Sequence, residues 1–342
     1  MNMVLTEGVP ETSFRQARNL DDGKGLTPML NPHFDQNLLV WHDEYSGRFA
    51  PPVYDGEFEL QWNIALGGDP EYFNNPGTST DDRYIADRVY EWTGKHPSSG
   101  KGFYDATMGS RVLDCPLDPA IIKGKKCIDV GCGMGRWTRT MQAIGAREVL
   151  SVDISKSALE STASFNPNIL KANILNLPEE HPELKEQYDF ANMWGVAMCT
   201  HDPKKAFASA AYTVKPGGAF YLMVYAPEGP HNRRTTNIAR RKFHALKTVK
   251  ERLAFVDTIH SRAWDTDYPL YDNLKNVARN LLGRHKGYKI GTLDMLEPTY
   301  NWVIPLEVIE GWMKQNGFSQ ITFLNPNERH KCAHHVLGVK EI

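Results

Sequence analysis

Asp129-Val130-Gly131-Cys132-Gly133-Met134-Gly135-Arg136-Trp137 is the stretch that decides the fold. It overlaps an apolar run, Cys127 to Val130, that reads as a strand, and it opens a helical pattern from Gly135 to Ile144. Glycines between a strand and a helix meet two physical needs. The chain must reverse with positive φ, and its backbone must lie close to a ligand that a Cβ would strike. The helix that follows turns unpaired N–H groups and a partial positive charge toward the same place. A dinucleotide fingerprint, G-x-G-x-x-G, counted from Gly131 requires glycine at 136, where Arg136 stands; the spacing here is D-x-G-x-G-x-G. This disfavours a nicotinamide-dependent oxidoreductase. Asp153 ends the next apolar run, where a carboxylate can accept hydrogen bonds from two vicinal ribose hydroxyls.

Outward from this loop the texture is that of a parallel sheet with helices on its faces. Strands are expected at Val149 to Asp153, Ile169 to Ala172, Tyr188 to Met193 and Ala219 to Tyr225, and helices at Lys156 to Ser164 and Pro203 to Thr213. Asp202 fits an N-cap, with Pro203 at the first helical position. After Tyr225 the alternation breaks, and residues from about 226 to 296 read as mostly helical, an excursion of the kind that forms a lid. A helix from Leu306 to Asn316, stopped by Gly317, and strands near Ile321–Phe323 and Val336–Val339 close the chain. Upstream, Asp82 to Trp92 has helical spacing with Tyr84, Ile85, Val89 and Trp92 toward one face. Residues 1 to about 55 carry Pro, Gly and Asn punctuation and read as an irregular arm. The expected division is an N-terminal arm and cap over 1–110, then an α/β domain over 111–342 carrying the lid.

The 342 residues hold 39 Lys+Arg against 41 Asp+Glu, a formal charge of −2, which argues against a chain-wide nucleic-acid-binding surface. No run approaches the roughly 18 consecutive apolar residues of a membrane helix. Residues 1 to 14 lack the basic start and apolar block of a secretion signal, so a cytoplasmic protein is expected. Five cysteines without a C-x-x-C pair fit reduced thiols better than a disulfide framework.

The glycine loop, with Asp before it and an acidic strand end after it, resembles the class I S-adenosylmethionine-dependent methyltransferase family from about Lys125 to Tyr225 and again at the C-terminus. The resemblance implies a doubly wound, seven-stranded, mostly parallel Rossmann-like sheet with S-adenosyl-L-methionine as cofactor. It implies that Asp129, Gly131, Cys132, Gly133 and Gly135 line the cofactor, that Asp153 binds the ribose hydroxyls, and that Ile154 packs on the adenine. Ala172-Asn173-Ile174 matches the adenine-edge motif, with Asn173 where Asp is common. Trp194 ends the fourth strand and joins the cofactor candidates. Gln61-Trp62-Asn63 and the segment Leu293 to Trp302 resemble motifs of a bacterial branch acting on small molecules, sugars among them; Gln61 and Trp62 are cofactor candidates on that ground.

An alcohol acceptor needs a base, whereas a deprotonated amine or thiolate attacks unaided. His201, just past the fourth strand, is the first candidate, and Tyr225, His231, Asp294 and Tyr300 are further ones. Relatives often read Gly-Val-Leu-His-His-Thr-Pro-Asp-Pro where this chain has Met198 and Cys199 in place of the two histidines. The expected reaction is methyl transfer to a small-molecule hydroxyl, of a sugar or related metabolite. Transfer to nitrogen or sulfur, or cofactor binding without turnover, are the alternatives. Arg233 to Arg252 holds eight Lys/Arg against Glu251 and reads as one amphipathic helix, with Leu246, Val249, Leu253 and Val256 inward and a basic outer face. Such a face is either simply solvated or attracts a phosphate-bearing or carboxylated acceptor, or RNA. His330, Cys332 and His334 alternate, but sulfonium chemistry needs no metal and none is expected.

Overall fold

The computed structural model describes residues 58, 61, 62, 80–95, 113–260, 274, 289–327 and 332–342. The N-terminal arm, part of the lid and His330 lie outside the described residues. In chain order the principal elements are α1 (Asp82–Thr93), β1 (Lys126–Val130), α2 (Arg136–Ile144), β2 (Glu148–Asp153), α3 (Lys156–Ala163), β3 (Ile169–Lys171), β4 (Tyr188–Trp194), α4 (Pro203–Tyr212) and β5 (Val214–Tyr225). They continue with α5 (Arg234–Ala245), α6 (Val249–His260), α7 (Lys289–Leu296), α8 (Leu306–Gln315), β6 (Phe318–Phe323) and β7 (Ala333–Lys340).

The seven strands form one sheet in the order β3-β2-β1-β4-β5-β7-β6. The first five strands pair in parallel, and β7 runs antiparallel between β5 and β6. The chain winds outward from β1 in one direction to β3 and then in the other from β4, so the strand order reverses between β1 and β4. Ligands of open parallel sheets collect in the crevice that such a reversal leaves at the C-terminal strand ends. The central strands are apolar throughout because both faces are covered: Cys127, Ile128 and Val130 are fully buried. Local signals fix the helices. Ser155 caps α3 by accepting from the Ala158 amide, Asp202 caps α4 by accepting from Lys205, and Gly145 ends α2 in the left-handed region.

On one face α4 and α8 pack through Phe207, Phe220, Trp312 and Phe318. On the other, α1 docks on α2 through Trp92 and Trp137, stacked at 4.4 Å and 8°. A separate apolar cluster joins α5, α6 and α7 through Phe243, Val256, Ile290 and Leu293, and Met134 of the glycine loop belongs to it.

The basic stretch differs from its expectation. It forms two helices rather than one, broken after Ala245. The cause is a capping box: the Glu251 amide donates to Thr248 Oγ1 and the Thr248 amide to Glu251 Oε2, which starts α6 afresh. Val249, expected inward, is therefore 46% exposed at the new helix's first turn. Among the described residues no helix is long and apolar enough to cross a membrane.

Candidate active site

A cavity of about 310 Å³ opens at the C-terminal ends of the central strands. Its floor is the loop from Gly131 to Met134. Gly131 has φ +75°, and a Cβ there would fall 2.3 Å from Val196 Cγ2; Gly133 has φ +52°, and its Cβ would fall 2.9 Å from Trp62 Cζ2. Both positions need glycine for conformation and for room. Beside them Asp153 is held by the backbone: Oδ2 accepts from the Gly133 amide at 2.8 Å and Oδ1 from the Ser155 amide at 2.9 Å. Ile154, Ala172, Asn173 and Ile174 continue that wall. Asn173 Oδ1 accepts from the Leu175 amide, which fixes the amide plane at the cavity edge.

The opposite end is polar and aromatic. Tyr225 ends β5, Asp294 projects from α7, and Gln61, Trp62 and Trp194 complete the wall. Gln61 Nε2 donates to Asp294 Oδ1 at 3.0 Å. Burial pushes the Asp294 carboxyl above the usual range, partly offset by that bond and by the guanidiniums of Arg136 and Arg240. Burial also pushes the Tyr225 phenol well up. His231 stacks on Tyr225 with ring centroids 3.4 Å apart, and burial drives its pKa down to about 3, so its imidazole is neutral. Arg136 lies over Trp194 at 4.4 Å and Trp137 at 5.0 Å, and burial lowers its pKa to about 10.

Of the residues singled out from sequence, Gln61, Trp62, Gly131, Cys132, Gly133, Asp153, Ile154, Asn173, Ile174, Trp194, Tyr225 and Asp294 meet on this cavity. Four do not. Asp129 is 1% exposed and sits behind the loop, accepting from Thr138 Oγ1 and Asn192 Nδ2, each at 2.7 Å. Gly135 caps α2 and is required by packing, since a Cβ there would lie 2.5 Å from Phe165 Cζ. His201 and Tyr300 stand outside the cavity wall, their rings 6.2 Å apart. A short turn at Ala197–Cys199 is the reason: Cys199 and Thr200 line the cavity, and Trp302 seats against the turn. That seat is fixed by the Trp302 amide donating to the Met198 carbonyl and Trp302 Nε1 to the Thr200 carbonyl. Arg136, Val196, Cys199, Thr200 and Ile290 line the cavity without having been singled out as site residues. Arg136 had a signal, standing at the mouth of the glycine loop; Val196, Cys199 and Thr200 have none beyond following β4, and Ile290 on α7 has none.

A family model described as a methyltransferase domain matches residues 103–322, and the chain belongs to that family. It is similar to the ubiquinone biosynthesis O-methyltransferase of Proteus mirabilis (strain HI4320), 36% identical over 102 residues, 29% of this chain and 41% of that protein. It is also similar to the tRNA U34 carboxymethyltransferase of Pseudoalteromonas translucida (strain TAC 125), 32% identical over 216 residues, 61% of this chain and 57% of that one. The chain thus spans between two fifths and three fifths of the length of these two relatives. Among solved structures it resembles an S-adenosylmethionine dependent methyltransferase from Mesorhizobium loti, with TM-score 0.41 and 15% identity over 65% of this chain and 96% of that one.

The chain therefore carries a methyltransferase domain on a seven-stranded sheet, and its family implies S-adenosylmethionine as the cofactor. The cavity suits the cofactor: a backbone cradle that a Cβ would fill, a carboxylate aimed by two amides and a planar amide at the far wall.

Proposed function

We propose that the enzyme methylates a hydroxyl of a small molecule, a sugar or related metabolite, with Asp294 as the group that takes the hydroxyl proton. The observation that carries this reading is the Asp294 carboxyl, held by Gln61 on the same cavity as the glycine loop. Bound S-adenosylmethionine supplies a methyl group on a positively charged sulfur. Gly131 to Met134 and Asp153 would hold it at the loop, Ile154, Asn173 and Ile174 would bound its adenine, and Trp62 and Trp194 would cover it. The other residues act on the acceptor. Tyr225 stays protonated and can donate to an acceptor oxygen, its ring held against His231. Asp294, its pKa held above the usual carboxylate range, is the more basic for it and can take the hydroxyl proton. Asp129, behind the loop, keeps α2 and β4 in register by its two bonds.

We read α1 as a cap fastened to α2 and α5 to α7 as a lid over the cavity. The exposed Arg241 and Lys242 of α5, Lys247 of the turn after it and Lys250 of α6 support attraction of a phosphate-bearing or carboxylated acceptor. Likeness to a protein named for tRNA keeps a nucleic-acid acceptor as the alternative, beside nitrogen or sulfur acceptors and cofactor binding without turnover. Five cysteines, none joined in a disulfide among the described residues, support a reducing, cytoplasmic setting.

Labelled methyl transfer from S-adenosylmethionine to a panel of hydroxylated, amine and thiol metabolites tests the reading. Hydroxyl compounds are expected to accept the label, and Asp294→Asn is expected to lower kcat by about 10²- to 10⁴-fold with cofactor affinity retained. Full turnover in Asp294→Asn removes the base, and label found only on nitrogen or sulfur removes the hydroxyl.

A further inference from the structure

We propose that Gln61 is a positioning residue rather than a cofactor ligand: it aims the Asp294 carboxyl into the cavity, while its neighbour Trp62 lies on the glycine loop, so that two adjacent residues tie the acceptor side of the site to the cofactor side. The inference rests on the reading of Asp294 as the proton acceptor. Gln61 is 3% exposed and bonds a residue 233 positions away. A buried amide needs partners, and a carboxylate is the strongest acceptor that an N–H donor can be given.

Packing explains why Asp294 needs such a partner. Ile290, Leu293 and Leu296 bury α7 and fix its backbone, but two torsions of the aspartate stay open. The charged and titratable groups around it come from several elements. Arg136 stands at the start of α2, Arg240 is buried on α5, Tyr225 ends β5, and Glu297 follows α7 with 3% exposure. The two guanidiniums favour the ionised carboxyl through space. Among the described hydrogen bonds of Asp294, the Gln61 amide is the one that also fixes direction: with Oδ1 committed to Nε2, Oδ2 is the oxygen left to take a proton. Trp62, next in the chain, sits where a Cβ on Gly133 would collide with its ring. The residue that aims the base and the residue that covers the loop are therefore neighbours in the chain.

The carboxyl of Asp294 can be followed by ¹³C NMR across a pH titration of the full chain saturated with S-adenosylhomocysteine, its signal assigned by loss in Asp294→Asn. Gln61→Met keeps the volume and removes the donor, and its titration midpoint is expected to rise by about one pH unit. Gln61→Glu places a like charge beside the carboxyl and is expected to raise it further. Calorimetry with S-adenosylhomocysteine is expected to give a Kd for Gln61→Met within about threefold of wild type, and one for Trp62→Ala weaker by about tenfold or more. An unchanged midpoint in Gln61→Met overturns the proposal, as does a tenfold loss of S-adenosylhomocysteine affinity in that variant. If the midpoint moves while Asp294→Asn transfers methyl at the wild-type rate, the contact stands and the role of Asp294 as proton acceptor falls.

Discussion

Replacing Asp129 by asparagine isolates the energetic cost of the carboxylate behind the glycine loop. Burial outweighs the bonds from Thr138 and Asn192 and pushes its pKa to about 6, from 3.8 for a solvated aspartate. A folded-state pKa above the unfolded value means that the native state holds the proton more tightly. Its contribution to stability is greatest below pH 3.8, declines as pH rises toward 6, and is flat beyond. The span of about 2 pH units, at about 1.4 kcal/mol each, amounts to about 3 kcal/mol. Asparagine carries no charge, so this loss vanishes in the variant. The geometry also tolerates it. Asn192 Oδ1 is buried without a partner among the described residues, so a turned Asn192 amide can accept from asparagine at 129 while Thr138 still donates to its oxygen. Asp129→Asn should match wild type near pH 4 and exceed it by up to about 3 kcal/mol at pH 8. Urea denaturation of cofactor-free protein at several pH values measures this. A difference that does not change with pH, or a variant less stable at pH 8, refutes the reasoning.

Two further outcomes separate the parts of the site. Asp153→Ala is expected to weaken S-adenosylhomocysteine binding by about tenfold or more in calorimetry, because a carboxylate bound to two loop amides is lost; unchanged affinity would remove Asp153 from the cofactor site. His201→Ala is expected to leave kcat within about twofold, since the ring stands outside the cavity wall, and a fall of a hundredfold would return it to the chemistry.

The β-α units around the glycine loop were legible because short apolar runs end at Gly or Asp, and because a parallel sheet covered on both faces leaves no polar alternation to confuse them. The edge was less so. β6 starts at Phe318, before the expected Ile321, since most of its residues are partly or fully exposed and their pattern is weak. The signal that divides the basic stretch was present as Thr248-Val249-Lys250-Glu251, but the run of cations and an apparent apolar spacing pointed to a single helix. Site residues that follow from backbone demands, Gly131, Gly133 and Asp153, were readable from local sequence. His201 against Thr200 was not: which of two neighbours faces the cavity depends on a short turn fixed by Trp302, about a hundred positions away. Gln61 was found for its motif, yet its bond to Asp294 belongs to tertiary structure alone.

The two amides that grip Asp153 fix its rotamer before any ligand arrives. On the role proposed for it, each carboxylate oxygen keeps lone-pair capacity for one sugar hydroxyl, so the loop acts as a rigid gauge for a cis-diol. A 2′-deoxy analogue leaves one oxygen without its hydroxyl, and the held orientation does not relax to compensate. Discrimination for ribose over deoxyribose then rests on one side chain whose aim is set by backbone amides.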